Sequence, residues 1–276
     1  MGVYLDLYEY DLEEYCETVY TIKSRLDKYI KNNLYKNMSI LELLQVFIDN
    51  FVSKHCDDDN ETLRRKIISH SNRVYKNMKI IVSNLEINHH IYLSHEEMFI
   101  LSISCMLHDI GKTYSDKNHN FYSTVITEYL LTMDERFDNE LINKILEVIY
   151  FNSKKNKNKD RISLLAKILR DADLFDEECG DSLFYLLISK IKNKKDTLNK
   201  LDIVKAKQLL KIKICNEHME EIESKINTQG GKELYRRLLN ETIENFYMFI
   251  DYIEGYEEVE DYYNLKYINC LKINID

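Results

Sequence analysis

The sequence predicts an all-α protein. Its 276 residues contain no proline and six glycines, whereas a fold built of many short strands would use both residue types in its turns. Several segments place apolar residues three, four or seven positions apart, which is the spacing along one face of an α-helix. The length suffices for one sizeable core with helical extensions.

Residues 1–60 are expected to form an extension of two or three helices. The clearest of these helices opens at Ser39, where Glu42 stands three positions further on and completes a capping box. An acidic and polar run at residues 56–60 interrupts the helical pattern. We therefore place a loop there.

Regular helical spacing returns from Thr62 onward. His70 falls in a stripe of apolar residues spaced three, four or seven apart: Leu63, Ile67, Val74, Met78 and Ile81. Ser94 and Glu97 form a second capping box, and residues 98–107 are apolar on nearly all sides. This pattern predicts a central helix that other elements cover.

His108 and Asp109 directly follow this apolar run, and Gly111 predicts the end of the helix. Adjacent side chains on a helix diverge by roughly 100°. A neighbouring histidine and aspartate with a common function are therefore expected to bind a group that lies between their side chains. A metal ion is the obvious candidate.

Further helices are expected downstream of this pair. The patterns place them at about residues 122–133 and 139–151, from about Ile162, and at about residues 231–254. The basic and polar run at residues 153–159 predicts a solvated loop.

The helix that starts near Ile162 ends among several carboxylates. Asp173 lies four residues after Leu169 and seven after Ala166, so it is expected to point toward the apolar side more than Asp171 does. Because ionised aspartate and polar histidine are costly to bury unpaired, one divalent cation would satisfy the candidates from three separate helices: His70, His108, Asp109 and Asp173.

Composition excludes several classes of protein. A net charge of −9 disfavours a broad surface for duplex nucleic acid, which needs an excess of lysine and arginine. No apolar run approaches the roughly 20 residues that span a bilayer. The six cysteines are scattered without a C-x-x-C pair, so we expect reduced thiols and a cytoplasmic protein without membrane contact.

The order of the motifs resembles the HD-domain metal-dependent phosphohydrolase superfamily. A lone histidine precedes Leu-His-Asp-Ile-Gly-Lys at residues 107–112, and Arg-Asp-Ala-Asp-Leu-Phe-Asp follows at residues 170–176. The resemblance covers about residues 61–180. The stretch at residues 228–234 and the helix after it are similar to the C-terminal helices of small bacterial HD nucleotide phosphohydrolases.

The resemblance implies an all-helical HD metal-binding core over residues 61–180, with the helices of residues 181–276 packed on it. It makes His70, His108, Asp109 and Asp173 the metal ligands. Mixed nitrogen and oxygen donors suit Mn²⁺, Fe²⁺, Co²⁺, Ni²⁺ or Zn²⁺ better than Mg²⁺. Asn152 stands where many relatives have histidine, and because a neutral amide is a poor ligand, this favours one metal ion over two.

The implied activity is hydrolysis of a phosphoester or phosphoanhydride bond in a nucleotide or related small phosphate, by metal-activated water. Asp109 is a candidate base. Lys112 and Arg73 are placed to meet substrate phosphate oxygens. His119 is either an additional metal ligand, a phosphate-binding residue or a polar loop residue.

Two alternatives share this scaffold. The first is a phosphodiesterase that acts on a cyclic or linear oligonucleotide. The second is a non-catalytic binding or regulatory protein, whose N-terminal helices and long C-terminal helix would serve a partner or a homodimer interface. The four convergent ligands argue against the second alternative, because a binding module has no need of them.

Overall fold

The computed structural model describes residues 61–115, 117–132, 136–152, 162–191 and 200–254. Within these ranges the chain is helical and contains no strand, which confirms the predicted all-α class. The helices predicted in residues 1–60 and the loop predicted at residues 153–159 lie outside the described residues. The chain forms two compact units: the described parts of Met1–Val82 and Ile91–Arg170 make the first, and those of Ser83–His90 and Asp171–Asp276 make the second.

Among the described residues, four helices and a short turn build the first unit together with the first part of α5 (Leu164–Glu178), up to Arg170. They are α1 (Glu61–His89, which passes into the second unit at Ser83), α2 (His95–Leu107), a 3-10 turn (Ile110–Thr113), α3 (His119–Thr132) and α4 (Asn139–Phe151). The turn packs on α3, and α4 packs on both α2 and α3. The predicted apolar stripe of α1 is buried at Ile67, Val74, Met78 and Ile81, as the helical spacing requires.

The capping box that opens α2 is confirmed. The Ser94 hydroxyl accepts a hydrogen bond from the Glu97 amide at 3.2 Å, and the Ser94 amide donates to the Glu97 carboxylate at 2.7 Å. The Ser94 backbone N–H and hydroxyl both donate to this carboxylate and hold the pKa of Glu97 below its ordinary value. Every residue from Ile100 to Leu107 is buried, so α2 is the covered central helix that its composition predicted.

The expectation that Gly111 terminates α2 is wrong. The helix ends at Leu107, His108 caps it with helical dihedral angles, and Gly111 lies inside the 3-10 turn that follows. Among the described glycines, Gly180 is the one with a positive φ. Gly111 is required instead by a close approach, because a Cβ atom there would lie 2.0 Å from the His119 carbonyl oxygen.

The second unit contains the remainder of α5 (Leu164–Glu178, which enters it at Asp171), α6 (Gly180–Ile191), α7 (Lys200–Lys213), α8 (Asn216–Lys225) and α9 (Gln229–Glu254). Helix α6 packs on α7 and α9. The largest buried side chains here are aromatic, and the rings of Phe175 and Tyr235 lie 6.3 Å apart. Such rings bury a large apolar area each and dominate the packing.

Asp171 joins α5 to the start of α9. Its buried carboxylate accepts four hydrogen bonds of 2.7–2.9 Å, from the amide and side chain of Asn227 and from the amide and hydroxyl of Thr228. The Thr228 hydroxyl also accepts the Gly231 amide at 3.0 Å and so caps α9. Burial raises the pKa of Asp171, and the four donors act in the opposite direction.

The expectation that Asp173 points inward more than Asp171 is wrong. Asp171 is fully buried and Asp173 is half-buried. Helical spacing around Leu169 could not reveal this order, because the groups that bury and bind Asp171 stand 56 and 57 residues further along the chain.

The described residues can be compared with two expectations from composition, on membrane spans and on cysteines. None of the described helices combines the length and apolar character needed to cross a bilayer. Cys105, Cys179 and Cys215 carry free thiols, as expected for reduced cysteines.

We predict that the stabilisation by the α2 capping box depends on pH. Because the pKa of Glu97 is lowered in the folded state, its charge stabilises the fold at neutral pH, and this contribution is lost as the pH falls through the lowered pKa. Urea unfolding should show Glu97→Gln to be less stable than wild type at pH 7, by less than about 1 kcal/mol. The deficit should vanish in acid. Glu128→Gln, at an exposed position of α3, is the control, and a deficit that grew in acid would contradict the prediction.

We also predict that Asp171→Asn destabilises the protein by about 2–3 kcal/mol. Either orientation of the new amide places its NH₂ group against a backbone N–H, of Asn227 or of Thr228, which cannot turn away. Urea unfolding in the presence of a chelator would measure the change without a contribution from metal binding. Asp251→Asn, at an exposed site of α9, should stay within about 0.5 kcal/mol of wild type. Equal stability of the two variants would refute the role of Asp171.

Candidate metal centre

Three side chains of the first unit converge on one point. The Nε2 atoms of His70 and His108 lie 3.2 Å apart, and the Asp109 Oδ2 atom lies 3.1 Å from the first and 3.8 Å from the second. Two ligands at about 2.1 Å from an ion and at right angles to each other are about 3 Å apart. The three atoms can therefore hold a divalent metal ion.

Local structure explains how neighbouring His108 and Asp109 both reach this point. His108 continues the last turn of α2, since its amide donates to the Ser104 carbonyl at 2.9 Å. Asp109 leaves the helix with φ −109° and ψ 2°, in the sparsely populated region between helix and strand. This bend brings the Asp109 carboxylate toward the His108 ring. His70 completes the group from the inward face of α1.

A backbone contact sets the tautomer of His108. Its Nδ1 atom lies 3.0 Å from the Cys105 carbonyl oxygen, which can only accept a hydrogen bond, so Nδ1 carries the proton. In the neutral ring, Nε2 then presents a lone pair toward His70 and Asp109. Metal-binding histidines are commonly oriented by such a hydrogen bond. The ring is fully buried, which keeps this orientation fixed.

The Asp109 carboxylate has a cationic neighbour and a further imidazole. The Lys112 ammonium donates to Oδ2, the oxygen that faces the two histidines, while His119 Nε2 lies 3.5 Å from Oδ1. Only 3% of the Asp109 side chain is exposed, against 32% for Lys112 and 26% for His119. Lys112 therefore compensates the negative charge of a buried carboxylate from the more exposed side of the site.

The other predicted site residues are distributed as follows. His119 is the first residue of α3 rather than part of a loop. Arg73 is half-buried on α1, one turn beyond His70, and Asn152 is buried at the end of α4. Asp173 belongs to the second unit. The roles of Arg73 in phosphate binding and of Asp173 as fourth ligand stay predictions.

Sequence reasoning missed two groups that support the site. One is the Cys105 carbonyl, whose position three residues before His108 is a spacing that a helix end makes available. The other is Ser123, a buried residue of α3 whose hydroxyl accepts a 2.8 Å hydrogen bond from the Gly111 amide. Nothing in the sequence marks Ser123, because the contact arises from the packing of the 3-10 turn on α3.

Comparison with known families agrees with this geometry. Residues 67–178 match the family model of the HD domain. This segment contains His70, His108, Asp109 and Asp173, and its match supports the resemblance to the HD-domain superfamily. No curated protein and no solved structure was found to match the chain. The finer likeness to small bacterial HD nucleotide phosphohydrolases stays a prediction.

We predict that His70→Ala weakens the binding of Mn²⁺ or Co²⁺ at least about tenfold, because it removes one of three convergent ligands. Isothermal titration calorimetry on metal-free protein would measure the affinity, and elemental analysis the stoichiometry. His95→Ala is the matched control, since His95 is exposed at the start of α2. Equal affinities of the two variants would exclude His70 as a ligand.

Proposed function

We propose that this protein is a metal-dependent phosphohydrolase that cleaves a phosphoester or phosphoanhydride bond in a nucleotide or related small phosphate. The observation that carries the proposal is the convergence of two imidazole nitrogens and one carboxylate oxygen, all within 4 Å of one another, inside an HD domain. A bound divalent ion would supply an activated water molecule and polarise a phosphoryl oxygen. Hydrolysis is the reaction that this combination serves.

The proposed ligands would supply both nitrogen and oxygen donors to the ion. His70 and His108 contribute neutral imidazole nitrogens, and Asp109 contributes a negative oxygen, with Asp173 proposed as the fourth ligand. This set of donors suits Mn²⁺, Fe²⁺, Co²⁺, Ni²⁺ or Zn²⁺. One ion is proposed, because Asn152 offers an amide where a histidine would be needed for a second centre.

The proposed phosphate contacts come from the more exposed side of the site. Lys112 has three N–H donors, so its ammonium can keep its contact with Asp109 and also donate to a phosphate oxygen. His119 approaches the other oxygen of the same carboxylate. In a protein of net charge −9, Lys112 and Arg73 would provide the local positive charge that an anionic substrate requires.

We predict that protein purified without chelators and supplied with Mn²⁺ releases phosphate, pyrophosphate or nucleoside from members of a panel of mono-, di-, tri- and cyclic nucleotides. The double variant His108→Ala with Asp109→Ala should lower the rate about 1,000-fold or more, because the ion and the water that it activates are lost together. Phosphate and nucleoside assays would follow the products.

His95→Ala is the control for this experiment as well, and it should retain the wild-type rate. Cleavage confined to cyclic or oligomeric substrates would favour the phosphodiesterase alternative. Unchanged activity of the double variant, or absence of turnover with every member of the panel, would refute the proposed function.

A further inference from the structure

We infer that Ser123 is a positioning residue of the metal centre, which acts through the backbone of Gly111 on the carboxylate of Asp109. The inference rests on the proposed function in one respect only, namely that Asp109 binds the metal ion. It assigns to α3 the role of fixing the 3-10 turn that follows Asp109 and contains Lys112.

The hydrogen bond between Gly111 and Ser123 is shielded from water. The Gly111 amide donates to the Ser123 hydroxyl at 2.8 Å, and both residues are buried. An N–H group that loses its acceptor in such surroundings has no solvent to replace it, so the geometry of the turn depends on this hydroxyl.

Two other amides of this segment have acceptors close by in the chain. The Lys112 amide donates to the Asp109 carbonyl at 3.0 Å, and the Tyr114 amide donates to the Gly111 carbonyl at 2.9 Å. The Gly111 amide differs from them, because its bond leads out of the turn to α3. Through this bond the segment that follows Asp109 is fastened to a separate helix.

Contact between the turn and α3 is close enough to transmit a change in position. A Cβ atom on Gly111 would lie 2.5 Å from the Ser123 amide nitrogen and 2.0 Å from the His119 carbonyl oxygen. Since Ser123 and His119 are one helical turn apart on α3, Gly111 packs against the turn of α3 that also carries His119.

Both oxygens of Asp109 depend on this arrangement. Oδ2 faces His70 and His108, whereas Oδ1 faces His119 across 3.5 Å. If the turn shifts relative to α3, the carboxylate cannot keep both sets of neighbours. Loss of the Ser123 hydroxyl is therefore expected to misplace the carboxylate ligand without removing any ligand.

Thr127 provides a matched control on the same helix. It lies one turn beyond Ser123, it is equally buried, and its hydroxyl oxygen has no hydrogen-bond partner among the described residues. Thr127→Val thus removes a buried hydroxyl from α3 but removes no bond to the turn. Any general effect on the packing of α3 should appear in both variants.

The test compares Ser123→Ala, Ser123→Cys and Thr127→Val with wild type in titrations of metal-free protein with Mn²⁺ and Co²⁺. We expect Ser123→Ala to bind both ions at least about tenfold more weakly and to change the visible absorption spectrum of bound Co²⁺. Ser123→Cys has a weaker acceptor of similar shape, so its metal affinity should lie between those of wild type and Ser123→Ala. It replaces the alanine variant in the test if that variant does not fold. Thr127→Val should bind like wild type with an unchanged spectrum.

A second measurement tests the hydrogen bond independently of metal. The chain has six glycines, so labelling with ¹⁵N-glycine gives a small set of amide signals in which hydrogen exchange at Gly111 can be followed. Exchange at Gly111 should accelerate in Ser123→Ala and not in Thr127→Val.

The outcomes separate this inference from the proposed function. Wild-type affinity and spectrum in Ser123→Ala, equal losses in Ser123→Ala and Thr127→Val, or unchanged Gly111 exchange would overturn the positioning role and leave the phosphohydrolase proposal intact. A wild-type protein that binds neither ion would overturn the metal centre itself and the positioning role with it. Tight metal binding by wild type without any turnover would refute the hydrolase and leave the role of Ser123 standing.

Discussion

The buried carboxylate of Asp109 is the constraint on which the site depends. An ionised carboxylate that is almost entirely removed from water is stable only if nearby groups compensate its charge. Two imidazole nitrogens and one ammonium gather around a single oxygen of this group. Because the Nε2 atom of His108 presents a lone pair toward this oxygen, the arrangement also offers donor atoms that can hold a divalent cation.

Asp171 is a buried carboxylate with a structural role, and its surroundings differ from those of Asp109. Its two oxygens accept four hydrogen bonds from two consecutive residues, Asn227 and Thr228, all within the second unit. Protein donors alone satisfy this group, and it fastens the start of α9. Asp109 has instead three imidazole nitrogens nearby, which can act as metal ligands, and one ammonium group. The surroundings, rather than the residue type, separate a structural aspartate from a ligand.

The precision of the metal centre comes from backbone groups as much as from its ligands. The Cys105 carbonyl selects the tautomer of His108, and the Gly111 amide ties the turn after Asp109 to α3. Both contacts are buried: the first is made to the His108 ring directly, and the second acts on Asp109 through two residues of backbone. A site built in this way holds its geometry before an ion arrives, which lowers the cost of ordering the ligands when the ion binds.

The sequence by itself determined the helical class, the capping box of α2, the apolar face of α1 and the candidate ligands, because periodicity, caps and the His-Asp pair are local patterns. Tertiary structure alone decided that Asp171 is more deeply buried than Asp173, that Gly111 serves a close approach rather than a helix end, and that Ser123 supports the site. These features depend on contacts between residues 8 to 57 positions apart. No local spacing encodes such contacts, since they exist only once the helices have packed.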